Sequence, residues 1–166
     1  MKFFGILCLS MIPILLSLSL CEDMKRKQNL RKNLLLFFQH ILFEIENFNR
    51  EQKIIFEKFE NPILKKSGFL DELLDEVNSA PCGAFGRVMQ KHLPSFGFSR
   101  QISDVLLTVG EHFGTQAKNR QIEELEELIS LLKTENEKEK TETENKIRIT
   151  RMVGLTAGIG ILILML

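Results

Sequence analysis

The sequence predicts an all-α protein, a cytoplasmic antiparallel helical bundle held between an N-terminal and a C-terminal transmembrane helix. Three observations predict it. Apolar residues recur at steps of three and four through the middle of the chain, no segment alternates long enough to make a strand, and both ends carry uncharged apolar runs. The expected divisions are a membrane helix over 1–21, a helical bundle over 22–132, a charged helical connector over 133–150 and a second membrane helix over 151–166.

The first apolar run, Phe3 to Leu20, is eighteen residues without a charge. Such a run fits a membrane helix or a cleaved signal peptide. Leu18-Ser19-Leu20 lacks small residues at the two key positions that a signal peptidase reads, and Leu20 stands where a lipoprotein signal needs a small residue before Cys21. Lys25, Arg26, Lys27, Arg31 and Lys32 follow the run, against Lys2 alone before it. Positive residues resist export, so the middle of the chain is expected in the cytoplasm with both termini outside.

The next element spans roughly Gln28 to Arg50. Leu30, Leu34, Phe37, Ile41, Ile45 and Phe48 form a stripe, widened by Leu35, Phe38 and Leu42. An amphipathic helix with a broad buried face follows. Shorter helices come next. Ile54, Ile55, Phe56 and Phe59 make a turn or two before Asn61-Pro62, and Phe69, Leu70, Leu73, Leu74 and Val77 follow Ser67-Gly68. After the break at Asn78–Gly83, Phe85, Val88, Met89 and Leu93 form a helix expected to end at Pro94. Ile102, Val105, Leu106, Val109 and Phe113 form another, with Ser99 or Ser103 as its cap.

The last element begins near Gln121. Ile122, Leu125, Ile129 and Leu132 give it a narrow apolar stripe, and Lys133 to Lys146 contains no apolar residue. Interleaved Glu and Lys without Gly or Pro predict a solvated helix there. Lys146, Arg148 and Arg151 then precede an apolar tail that is short for a bilayer of about 30 Å. Ile147 and Ile149, the stems of Arg148 and Arg151, or local thinning of the bilayer would have to make up the difference. Gly154, Gly158 and Gly160 put small residues on this helix, either as a contact face or as ordinary membrane-helix composition.

Composition excludes several classes. The twenty-two basic residues balance twenty-two acidic ones, so there is no nucleic-acid footprint. Phe supplies all thirteen aromatics, leaving Lys and Arg to mark the membrane boundaries. Cys8, Cys21 and Cys82 match neither a zinc site nor a disulfide framework and are read as incidental thiols. His40, His92 and His112 fall in separate helices, without a third ligand at metal-binding spacing. Gly110-Glu111-His112-Phe113-Gly114 is not completed into a phosphate loop, and no nucleophile elbow is present. No enzyme activity, cofactor or small-molecule substrate is expected.

The segment Val109-Gly110-Glu111-His112-Phe113-Gly114, followed by Gln121 and Leu125, resembles the stage III sporulation protein AB family of endospore-forming bacteria. The Met-Lys-Phe-Phe-Gly opening and the ending Arg151-Met152-Val153-Gly154-Leu155-Thr156-Ala157-Gly158 are also similar to that family. Ala117 stands where the family has an acidic residue, Lys118 replaces an Arg, and residues 51–100 match only in being helical. The resemblance makes Gly110, Gly114, Gln121 and Leu125 the motif residues. It implies a multi-pass mother-cell protein of the outer forespore membrane, made during engulfment, with a domain similar to the cytoplasmic domains of type II secretion F proteins. It also implies a secretion-type ATPase and other membrane components as partners, besides membrane lipid. A membrane-tethered sensory protein with an exported helical domain is the alternative, and topology separates the two.

Overall fold

The computed structural model describes the backbone over Lys2–Phe48 and Arg50–Met165, and side-chain surroundings over Leu9–Phe48 and Arg50–Leu164. The side chain of Cys8 lies outside these described residues. The described chain is helical, in the order α1 (Lys2–Phe48), α2 (Gln52–Lys58), α3 (Pro62–Lys66), α4 (Phe69–Ser79), α5 (Ala84–Phe96), α6 (Arg100–His112) and α7 (Lys118–Met165). It forms two compact units, one of residues 29–136 and one combining 1–28 with 137–166.

In the 29–136 unit, all seven helices feed one hydrophobic core. Leu34, Phe37, Phe38 and Ile41 of α1 are fully buried with Ile55, Phe56, Leu64, Phe69, Leu73, Phe85, Met89, Leu106, Leu125 and Leu132. Its centre is aromatic. The Phe37 ring lies 5.1–6.2 Å from those of Phe38, Phe56, Phe59, Phe69 and Phe85, with Phe59 and Phe69 meeting it edge-on. Phe85 reaches on to Phe113 at 5.3 Å. Large rings in tilted, edge-on and stacked pairs fill the space between the short helices.

Local chemistry sets the helix ends. Asn61 Oδ1 accepts from the amides of Ile63 and Leu64 at 3.1 and 3.0 Å, capping α3 with Pro62 in its first turn. The Asn61 side-chain amide also donates to Asn33 Oδ1 at 2.7 Å, tying the cap to α1. The buried Arg31 donates to the carbonyls of Phe96, at 2.7 Å, and Gly97, satisfying the C-terminus of α5. Its guanidinium also lies over the Phe98 ring at 5.2 Å. Burial pushes the Arg31 pKa down from its ordinary value, while Glu135 opposes the shift.

Four expectations change. The charged stretch after Leu20 does not separate two helices. Residues 2–48 form one, because Glu22–Gln28 are helix formers with no Gly or Pro among them. Phe48, placed on the buried stripe, is half exposed at the end of α1, with the Arg50 guanidinium 4.3 Å over its ring. Pro94 does not end α5, which continues to Phe96. Pro94 lies in the last turn, where its missing N–H removes a single helical hydrogen bond, and both it and Gln90 four residues earlier are exposed. Ser99 occupies the N-cap position of α6, but its side chain makes no capping hydrogen bond.

Candidate functional site

Two places gather the residues singled out by sequence. The first lies in the 29–136 unit, where α5 and α6 cross. A Cβ on Gly110 would lie 3.0 Å from Gly86 Cα and 3.3 Å from the Phe85 ring, and one on Gly86 would lie 3.2 Å from the Gly110 carbonyl. The two backbones therefore touch, and a side chain on either would separate the helices. Gly114 follows α6 with φ +78°, a left-handed conformation that favours glycine. The Gln52 side chain occupies the space its Cβ would need and donates to the Phe113 carbonyl at 3.0 Å. Leu125 is fully buried in the core.

Gly114 and Gln121 also line a cleft of about 730 Å³, together with Ile45, Arg50, Gln52, Val77, Cys82 and Lys118. Arg50 there pairs with the buried Glu44 at 2.6 Å, and Lys118 donates to the Glu46 carbonyl at 3.2 Å. Gln116 Oε1, on the cleft wall, is buried without a hydrogen-bond partner among the described residues. Of the four motif residues, Gly110 and Leu125 thus face protein, Gly114 shapes a turn, and Gln121 lies on an accessible wall.

The histidines are dispersed. His40 Nε2 is 3.2 Å from the Ile55 carbonyl, His92 Nε2 is 2.9 Å from Glu72 Oε2, and His112 is exposed at the end of α6. Among the described residues, no three His, Cys, Asp or Glu side chains are grouped to hold a metal ion. The Lys91 ammonium is 2.6 Å from Glu72, and hydrogen bonds from Lys91 and then His92 hold the Glu72 pKa below its ordinary value.

The second place is the unit formed by 1–28 and 137–166, where α1 and α7 run antiparallel. A Cβ on Gly154 would collide with the Ser17 side chain and come within 3.1 Å of the Pro13 carbonyl. One on Gly158 would lie 2.9 Å from both the Ser10 carbonyl and Ile14 Cδ1. Farther along, the Cys21 thiol is 3.7 Å from the Ile147 carbonyl. Ser10, Ser17, Cys21, Thr143, Gly154 and Gly158 are all buried along this seam. Gly160 has nothing within 4 Å of its Cβ position and stands off it.

Away from the seam both helices turn apolar side chains outward. Leu9, Met11, Ile12, Leu15, Leu16, Leu18 and Leu20 are exposed on α1, and Ile149, Met152, Val153, Leu155, Ile159, Ile163 and Leu164 on α7. Among the described residues, α7 alone carries a stretch long and apolar enough to cross a membrane, with mean hydropathy 1.7. Small and weakly polar side chains thus line the seam, and large aliphatic ones face away from it.

A family model of stage III sporulation protein AB matches residues 2–166, from the first apolar run through the terminal helix. The chain belongs to the stage III sporulation protein AB family. No curated protein and no solved structure gives a significant match. Family membership makes this a sporulation-related protein, and its apolar end on α7 indicates membrane association.

The seam was only half visible in the sequence. Gly154 and Gly158 stand out as small residues, whereas Ser10, Ser17 and Cys21 sit in a run that is apolar all round. Their spacing of seven and four residues was the available signal.

Proposed function

We propose that this protein is a non-enzymatic membrane subunit of a sporulation secretion or channel complex between mother cell and forespore. In this reading the start of α1 and the end of α7 both cross the membrane, and residues 29–136 form a cytoplasmic helical bundle that docks a secretion-type ATPase. The observation that carries it is the antiparallel seam, lined by Ser10, Ser17, Gly154 and Gly158 and jacketed by exposed aliphatic side chains. Two helices that bury glycine and serine and expose leucine and isoleucine gain little in water, and become consistent once lipid covers the outer faces. Lys25, Arg26 and Lys27 on α1 and Lys146, Arg148 and Arg151 on α7 then lie on the same side of the membrane, which favours a cytoplasmic middle region.

No side chain in the 29–136 unit needs to perform chemistry in this role. The motif glycines keep α5 and α6 in contact and shape the turn into α7, presenting a rigid surface that includes Gln121. Co-purification tests the docking. The full chain, extracted from sporulating cells in mild detergent, should retain a secretion-type ATPase, and release of that ATPase on mutation of surface residues but not of the seam would place docking on the helical domain. An ATPase absent from every preparation that keeps other membrane components of the complex would contradict the proposed partner.

A further inference from the structure

We propose that Arg148 and Arg151, joined by Lys25 across the seam, bind the phosphate groups of anionic phospholipids. The proposal rests on the two-span reading above and adds the lipid class that these helices recognise.

The register of the seam fixes which charges share a level. Gly158 lies against Ser10 and Ile14, Gly154 against Pro13 and Ser17, and Ile147 against Cys21. At this register Arg151 is level with about Ser19, Arg148 with about Glu22, and Lys25 with about Asn145, so the three cations span about 9 Å along the helix pair. They also share a side. Arg148 and Arg151 each follow a seam-facing residue, Ile147 and Thr150, by one position, and Lys25 follows Met24. In an antiparallel pair, positions one residue after the seam on either helix lie on the same flank.

The opposite flank is electrostatically settled. Asp23 pairs with Arg26 at 2.7 Å and with Lys27 at 2.8 Å, and Glu142 pairs with Lys146 at 3.2 Å. Arg148, Arg151 and Lys25 are exposed and form no ion pair among the described residues. Glu22 and Glu144 share their flank, yet neither pairs with them, and both lie on the watery side of Arg151. Arg151 is the charge nearest the apolar tail and Arg148 lies one turn outside it, a spacing that lets two guanidiniums grip one phosphate through forked hydrogen bonds. Their aliphatic stems run along the apolar surface while the charged ends rise to headgroup depth. An anionic headgroup supplies negative charge there without a compensating cation, which a choline headgroup carries.

The test uses the full chain reconstituted into vesicles of phosphatidylcholine, and into phosphatidylcholine containing about a quarter phosphatidylglycerol, a composition that gives a clear anionic surface. Insertion is read first, as flotation with vesicles that survives alkaline carbonate. Lipid retained after extraction into nonionic detergent is then measured by mass spectrometry. The expected result is insertion into both vesicles and roughly threefold or greater enrichment of phosphatidylglycerol over its bulk share, falling at high salt. Arg148→Gln combined with Arg151→Gln should still insert and return to the bulk ratio, whereas Lys146→Gln should keep most of the enrichment. Insertion without enrichment, or equal enrichment in the double variant, overturns this proposal alone. Failure to insert into either vesicle overturns the two-span reading and this proposal with it.

Discussion

Gly110 and Gly154 solve the same packing problem in two different units. Each lets a helix backbone approach its neighbour where a side chain would be in the way, Gly110 against Gly86 and Gly154 against Ser17 and Pro13. Gly110→Ala must push α5 and α6 apart, because the atoms it meets are backbone, and should cost about 1–3 kcal/mol of overpacking strain. Chemical denaturation of residues 24–146 would show it, with Gly160→Ala in the full chain as a substitution that meets open space. Phe37→Ala removes a fully buried ring touching five other phenylalanines and should cost about 3–5 kcal/mol, with Leu125→Ala costing about 2–5 kcal/mol. An unshifted melt for both variants would contradict the core as described. The buried stripe of α1 was legible from Leu30 to Ile45 because polar residues alternate with it at helical spacing. Phe48 continues that spacing but lies at the helix end, outside the hydrophobic core and half exposed beside Phe43 and Arg50, and periodicity carries no information about where the core stops.

At the scale of elements, two helix pairings invite tests. Glu72 on α4 links to Lys91 and His92 on α5. Its folded-state pKa lies below the ordinary carboxylate value, so its contribution is present above the unfolded pKa and is lost as pH falls through the folded one. Glu72→Gln should therefore flatten the acid limb of the stability profile, and an acid limb unchanged in that variant would remove the link. The α1–α7 seam is tested by Gly158→Ile, which keeps α7 apolar enough to insert but cannot fit against Ser10 and Ile14. A second cysteine at Ile147→Cys, with Cys8 and Cys82 replaced, should crosslink to Cys21 within one chain, and Gly158→Ile should weaken that crosslink severalfold. Equal crosslinking in both would leave the glycines without a role in the pairing. The sequence shows these glycines but not their partners, since Ser10 and Ser17 have no polar face to distinguish them in a uniformly apolar run. It also separates α1 into two elements at a charged stretch that is, by propensity, good helix.

For the molecule as a whole, the proposed arrangement has one chain offering a helical domain to the cytoplasm from two membrane helices. Apolar spacing at steps of three and four made the all-α class legible, whereas the basic flanks give an expectation of sidedness that only a topology measurement tests. The crossing of α5 over α6 was not legible, because Gly86 and Gly110 meet through tertiary contact between segments 24 residues apart. Cys82 offers the most direct measurement. It is exposed in the 29–136 unit, whereas Cys21 is buried in the seam. In cells expressing the full chain with Cys8 and Cys21 replaced, a membrane-impermeant maleimide should leave Cys82 unlabelled until the cells are permeabilised, after which labelling should be complete. Full labelling of Cys82 in intact cells would contradict the cytoplasmic placement and return the protein to an exported, sensory role.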